Sequence, residues 1–333
     1  MIEASGLAKS FGSVRAVQDL TFSVPNATVL GLLGPNGAGK TTTIRMLAGL
    51  LVPDQGTLQI DGRDVAKDGD GARHARMVTG YLPESAPLHP ELRTLEFLRY
   101  RAALLGLSGR IARDAIDQAV AACGLGPVAG RLLGALSKGF RQRVGVAAAI
   151  LGDRALGTPK VVILDEPSVG LDPRQLIEFR GLVRSLGRER TVLLSSHLLA
   201  EVDAVCDAAI LMHGGRLVAS GSIQELRRRG GTTYTIEWTA ADPSHAAATI
   251  ARTAAPLAAT TVDLGAGWRR TVVVRPPGDR DDAAASSAID DLREPFARSL
   301  RDSGATVREL RRDDASLEGL FLDVLARRGG GPR

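Results

Sequence analysis

The sequence predicts an α/β chain in two parts, a large unit built on a mostly parallel sheet and a smaller α+β domain behind it. Three observations carry that expectation. Apolar runs at Val29–Leu33, Val161–Leu164 and Thr191–Leu194 are continuous rather than alternating, as in strands buried on both faces. The first of them runs directly into a glycine-rich loop, Gly34–Thr41. Finally, the composition shifts after Arg227-Arg228-Arg229-Gly230-Gly231, and strand-like and helix-like segments then begin afresh.

Taken in order, residues Met1 to about Asp61 read as short strands broken by turns, with Leu20, Phe22 and Val24 in alternation. A helix is expected from Thr41 to about Leu50, stopping near Pro53. From about Pro90 to Leu151 the period is helical: Leu95, Leu98 and Ala102 recur at three- and four-residue steps, as do Ile116, Val120 and Cys123. Strands return at Val161–Leu164 and Thr191–Ser196, and Ile210–Ser220 reads as a hairpin around Gly214-Gly215.

The C-terminal part reads as strand (Thr232–Trp238), helix (His245–Ala255), two strands (Thr260–Leu264, Trp268–Arg275), helix (Asp290–Ser303), strand (Thr306–Arg311) and helix (Ser316–Arg327). That βαββαβα order suggests a ferredoxin-like domain. Gly278–Ser287, rich in Asp and Ala, reads as a mobile loop within it. The expected division is 1–226 and 232–333, with a helical subdomain at about 88–155.

Composition narrows the setting. The 333 residues are 44% hydrophobic but only 4% aromatic, so the core must rest on aliphatic side chains. A formal charge of +5 favours an anionic ligand or surface. The arginines are scattered, and nothing singles out nucleic acid. Cys123 and Cys206 lie far apart in apolar helical contexts, where a buried thiol in a reduced, cytosolic protein is expected. No run approaches the roughly 18 apolar residues that span a bilayer, so any membrane role is expected to come through a partner.

The chemistry begins at Gly34-Pro35-Asn36-Gly37-Ala38-Gly39-Lys40-Thr41, a full match to G-x-x-x-x-G-K-[ST] between an apolar strand and a helix. Glycines let successive N–H groups turn toward phosphate oxygens, and the helix N-terminus adds its positive end. Lys40 is expected on the β- and γ-phosphates and the Thr41 hydroxyl on Mg²⁺. Thr42 is expected to bind the nucleotide together with the loop. Downstream, the strand Val161–Leu164 ends in Asp165-Glu166-Pro167, at the strand end where ligands collect in α/β sheets. Asp165 is expected to hold Mg²⁺, directly or through water, and Glu166 to orient and deprotonate the attacking water. His197 ends another apolar strand. Alone, such a histidine is an ordinary core or turn residue.

Together these motifs resemble the nucleotide-binding subunit of ABC transporters, from Met1 to about Leu226. Leu136-Ser137-Lys138-Gly139-Phe140-Arg141-Gln142-Arg143 resembles the family signature, usually written LSGGQ. Gly170-Leu171-Asp172-Pro173 resembles the D-loop, His197 occupies the switch-histidine position, and Phe11 sits where the family stacks an aromatic ring on adenine. Glu84, in Gly80-Tyr81-Leu82-Pro83-Glu84, stands where the family usually has the Q-loop glutamine, and is expected to serve Mg²⁺ or the attacking water. The signature likewise has Lys138 and Phe140 in place of Gly and Gln.

The resemblance implies a P-loop ABC cassette that works as a head-to-tail homodimer and hydrolyses ATP with Mg²⁺. Ser137 and the Gly139 N–H would contact the γ-phosphate across the interface, with Asp172 nearby and a helix starting near Phe140 aimed at the site. It implies separate transmembrane permease subunits, received at about Ser85–Leu105, and a peripheral position on the cytoplasmic face of the membrane. The sequence GYLPE, the signature LSKGFRQR and the ending Ser316–Leu322 resemble the ABC-2 exporter group. In that last helix Leu317, Leu320, Phe321, Val324 and Leu325 share one apolar face. A soluble ABC ATPase acting on nucleic acid or ribosomes is the alternative. It would bring long heptads or a second cassette, and the sequence shows neither.

Overall fold

The computed structural model describes residues 1–65, 69–152, 157, 159–229, 232–275, 291–313 and 317–322. The chain falls into two compact units, Met1–Gly221 and Ser222–Arg333.

The first unit opens with two strands longer than the sequence suggests, β1 (Ile2–Phe11) and β2 (Val14–Val24), paired antiparallel. Next come β3 (Val29–Leu33) and helix α1 (Lys40–Leu47). The helix stops at Ala48-Gly49, short of Leu50, because Gly49 adopts a left-handed φ of 66°. β4 (Gln55–Ile60) pairs with β1, and β5 (Arg63–Asp64) with β4, closing an antiparallel sheet in the order β2-β1-β4-β5. Helix α2 (Gly69–Val78) leads into β6 (Thr79–Leu82).

The helical stretch that the period announces resolves into α3 (Thr94–Leu104), α4 (Gly109–Ala122) and α5 (Lys138–Ala149). Beyond them come β7 (Val161–Leu164), α6 (Pro173–Gly187), β8 (Thr191–Ser196), α7 (Leu199–Val205), β9 (Ala208–His213) and β10 (Arg216–Ser222). The second sheet has the order β10-β9-β3-β8-β7-β6, in which β9, β3, β8, β7 and β6 run parallel to one another. Every residue of β3, β7 and β8 is buried, which is why these strands read as unbroken apolar runs. Ile44, Met46 and Leu47 of α1 pack into one core with residues of both sheets. The β9–β10 turn has Gly214 and Gly215 at φ 55° and 77°, a geometry that two glycines adopt without strain.

The second unit holds α8 (Ile223–Arg229), β11 (Thr232–Thr239), α9 (Pro243–Ala254), β12 (Ala258–Gly265), β13 (Trp268–Arg275), α10 (Arg293–Asp302) and β14 (Thr306–Asp313). Its sheet order, β12-β13-β11-β14 with all pairs antiparallel, gives the ferredoxin-like arrangement. Tyr234, Ile236 and Trp238 alternate inward against Ile250, Phe296 and Leu300, which brings both helices onto one face. Trp238 donates its indole N–H to Thr271 Oγ1 at 2.8 Å. Residues 317–322 are helical, with Leu317 and Leu320 buried. The expected loop at Gly278–Ser287, together with Ser316, Val324 and Leu325, lies outside the described residues.

Candidate active site

The phosphate loop fixes its own shape first. Gly37 and Gly39 take φ values of 78° and 97°, open to glycine but strained for other residues. A Cβ at Gly34 would lie 2.4 Å from Met212 O, and one at Gly39 would lie 2.4 Å from Ala16 O. These glycines therefore allow the loop to pack tightly against neighbouring backbone. The first turn of α1 carries no acidic side chain, and its N-cap makes no side-chain hydrogen bond. Its N–H groups and positive end are thus available to an anion.

Lys40 is buried and donates to the loop's own carbonyls, at 2.7 Å to Gly34 O and 3.3 Å to Pro35 O. Its ammonium also lies 3.5 Å from Glu166 Oε1. The other Glu166 oxygen, Oε2, is 2.8 Å from His197 Nδ1. Lys40, Glu166 and His197 thus form one chain of contacts, although their sequence positions are far apart. Glu166 holds a left-handed φ of 46°, a conformation that costs a non-glycine residue on the order of 1–3 kcal/mol. That turn brings its carboxylate back to the phosphate loop.

Asp165, 2% exposed, sits behind Glu166 at the end of β7. Burial pushes its carboxyl up, as does the neighbouring Glu166 charge, while the Ser195 hydroxyl, Arg45 and Lys40 oppose the rise. Ser195 is a site residue that no sequence motif marks. From β8 it donates to Asp165 Oδ1 at 2.7 Å and accepts the Glu166 N–H at 2.8 Å, so one hydroxyl sets both acids. The strand pairing that places β8 beside β7 is the only signal for it, and spacing along the chain does not show that pairing. Glu201 escapes sequence reasoning for the same reason. It is buried and accepts from Ser168 Oγ and from Ser196 Oγ, the latter at 3.1 Å, tying the turn after Glu166 to the strand that carries His197.

A cleft of about 490 Å³ gathers Asn36, Gly37, Ala38, Gly39, Lys40, Thr41 and Thr42 with Glu84, Glu166 and His197. Val14, Arg15 and Ala16 of β2 complete it, and no sequence motif marks them. Phe11, 52% exposed, pairs with Val14 across the β1–β2 turn. Ser137, Gly139 and Asp172 do not line this cleft. Ser137 caps α5, its hydroxyl accepting the Phe140 N–H at 3.4 Å. The helix therefore begins at Lys138 and not near Phe140, because the capping serine stands three residues before the N–H it serves. A Cβ at Gly139 would lie 2.8 Å from Gln175 Cδ, and Asp172 caps α6 by accepting the Gln175 N–H at 2.8 Å.

For a divalent cation, the Thr41 hydroxyl and the Asp165 carboxylate are hard oxygen donors that suit Mg²⁺. Among the described residues no group of three or more His, Cys, Asp or Glu forms a protein cage for a metal. A cation held jointly by two protein oxygens and phosphate fits that arrangement.

Comparison with known proteins agrees with this geometry. The family model described as ABC transporter matches residues 17–169. The daunorubicin/doxorubicin resistance ATP-binding protein DrrA of Streptomyces peucetius is 40% identical over 232 residues, covering 69% of this chain and 68% of that protein. The daunorubicin resistance ATP-binding protein DrrA3 of Streptomyces coeruleorubidus is 32% identical over 325 residues, covering 97% and 95%. Among solved structures, an ATP-binding subunit of an ABC transporter matches with a TM-score of 0.59 at 31% identity, over 68% of this chain and 92% of that one. The dimeric cassette MJ0796 matches in fold, with a TM-score of 0.58 at 21% identity over 67% and 98%.

Proposed function

The chain belongs to the family of ABC transporter ATP-binding subunits, and from that premise we propose that it is the ATP-hydrolysing motor of an exporter. The contact chain Lys40–Glu166–His197 at the phosphate loop is the observation that carries the reading. ATP binding and hydrolysis belong to the family, and each part of that work falls to a particular group of this chain.

The triphosphate lies along Asn36–Thr42, where Lys40 exchanges its carbonyl partners for phosphate oxygens. Thr41 and Asp165 hold Mg²⁺, which neutralises charge on the phosphates. Glu166 takes a proton from the attacking water. His197, hydrogen-bonded to the Glu166 carboxylate, fixes its orientation. Phe11 stacks on adenine at the mouth of the cleft, beside Val14. Glu84 faces the same cleft and serves the water or the metal.

Two copies pair head to tail, with Ser137, Gly139 and Asp172 of one meeting the nucleotide of the other. Their absence from the lining of their own chain's phosphate cleft supports this. The N-terminus of α5, with Ser137 as its cap, then presents its positive end to the γ-phosphate.

Among the described residues no helix is long and apolar enough to cross a membrane. By analogy with the family, separate permeases supply the membrane subunits and the motor works at the cytoplasmic face. A groove of about 220 Å³ lined by Leu50, Arg76, Tyr81, Arg101 and Leu105 offers apolar and basic groups to a permease helix. It overlaps only the C-terminal end of the stretch Ser85–Leu105 and draws its other walls from the turn after α1, from α2 and β6, and from the end of α5. Export follows from the drug-resistance relatives.

The test is Glu166→Gln, which removes the general base and is expected to lower turnover about 10²–10⁴-fold while leaving ATP bound. Recovered with ATP from gently solubilised host membranes, this form should bring a polytopic membrane protein with it. Recovery of ribosomes or DNA-bound proteins without a permease would overturn the exporter reading in favour of the soluble ATPase.

A further inference from the structure

Of the three residues that depart from the pattern usual in this family, Glu84, Lys138 and Phe140, the first two line a single second cleft. That cleft, of about 410 Å³, shares Glu84, Glu166 and Val169 with the phosphate cleft. Glu166 and Arg141 are the other charged residues that line it, and each has a fixed partner. Glu166 contacts Lys40 and His197, and Arg141 donates to Leu136 O. Among the described residues neither Glu84 nor Lys138 has an ion-pair partner within contact distance.

Lys138 is turned toward its own chain. A Cβ built at Gly170 would meet Lys138 Nζ at 2.4 Å, so the ammonium rests on the Gly170 backbone, next to Val169. Lys138 is also the first residue of α5, where the positive helix end disfavours a cation. A lysine there is held against its local electrostatics, and a nearby negative charge is what would favour it. Glu84 has the converse problem, since it sets a carboxylate beside a cleft made for a triphosphate.

We propose that Lys138 is the counter-charge to Glu84, a positioning residue that acts within its own chain to offset the negative charge Glu84 brings to the nucleotide site. The proposal rests on the ATP-site reading above. Glu84 and Lys138 are both exposed at the rim of this cleft, where an uncompensated carboxylate repels the incoming phosphates and a nearby cation offsets that field.

The experiment is a cycle of four proteins: wild type, Glu84→Gln, Lys138→Gln and the double variant. ATP hydrolysis is measured against ATP concentration at low salt and at about 0.5 M salt, where exposed charges are screened. Lys138→Gln is expected to raise KM for ATP about three- to fivefold when Glu84 is present, and less than about 1.5-fold when residue 84 is Gln. Such non-additivity is typical of residues coupled through shared charge. The loss should shrink at high salt, and Lys138→Arg should behave as wild type, neither of which a packing role predicts. Equal losses in both backgrounds would overturn the proposal and make Lys138 a direct phosphate contact across a dimer or a helix-packing residue. Wild-type turnover that collapses in Glu166→Gln is the control. Its absence would refute the site reading itself, not the pairing.

Discussion

Replacing Ser195 by alanine tests how the two acids are held. The hydroxyl is fully buried, donates to Asp165 at 2.7 Å and accepts the Glu166 N–H at 2.8 Å. Its removal leaves that N–H without its partner, at a cost of about 1–3 kcal/mol, and deletes a hydrogen bond to a carboxylate worth about 1.5–3 kcal/mol. The two losses overlap, so a total of about 3 kcal/mol is expected. With a urea slope on the order of 3 kcal/mol/M, the midpoint should fall by about 1 M.

Folding and site function separate in a second readout. Asp165 loses the donor that orients it and opposes the upward push of burial. The Mg²⁺ concentration for half-maximal hydrolysis should rise about 10–100-fold, as when a ligand's supporting hydrogen bond is removed. Circular dichroism in urea and a Mg²⁺ titration of ATP hydrolysis measure the two effects. A midpoint shift under about 0.2 M with an unchanged Mg²⁺ requirement would refute the assignment of Ser195 as the shared support.

Three further outcomes are expected. Gly39→Ala places a Cβ 2.4 Å from Ala16 O at a φ of 97°, so binding of a fluorescent ATP analogue should be abolished; near-normal binding would show that the loop can open. Asp61 is held below the usual carboxylate range, first by its hydrogen bond to Lys160 at 2.8 Å. Its folded-state pKa is depressed, so the stabilisation is present above about pH 4 and is lost as pH falls through the lowered value. Because Lys160 is well exposed, Lys160→Met should cost about 0.2–1 kcal/mol at pH 7 and progressively less as the pH is taken below about 4, as read from urea midpoints along that series. In the C-terminal unit Phe296 is fully buried, with its ring 5.8 Å from that of Tyr234, so Phe296→Ala should cost about 3–5 kcal/mol. Both tryptophans, Trp238 and Trp268, lie in that unit, so their emission in urea reports its unfolding; an unmoved midpoint would contradict the packing.

Elements with strong local signatures are legible from the chain alone. Val29–Leu33, Val161–Leu164 and Thr191–Ser196 read as central strands because burial on both faces leaves almost no polar position in them. The phosphate loop is legible because its glycines, lysine and threonine must lie close together in sequence to wrap one phosphate group. From β11 onward the strand–helix order of the C-terminal unit follows from alternating and helical periods, to within three residues at each described end. Helices α2, α6, α7 and α8 escape, although Asp172-Pro173 at the start of α6 is a cap followed by a first-turn proline.

Which residues meet is a matter of three-dimensional packing. Ser195 bridges Asp165 and Glu166 because β8 lies beside β7, and Glu201 joins Ser168 to Ser196 because α7 folds back under the turn after Glu166. The contact of Glu166 with both Lys40 and His197 depends on a left-handed backbone at Glu166, which no propensity predicts. The turning of Lys138 toward Gly170 depends on where α5 begins, two residues before the start that the family resemblance implies. Periodicity and motif spacing record each segment's local environment. Contacts between segments arise from sheet order and backbone dihedrals, and a single sequence does not encode those at any fixed interval.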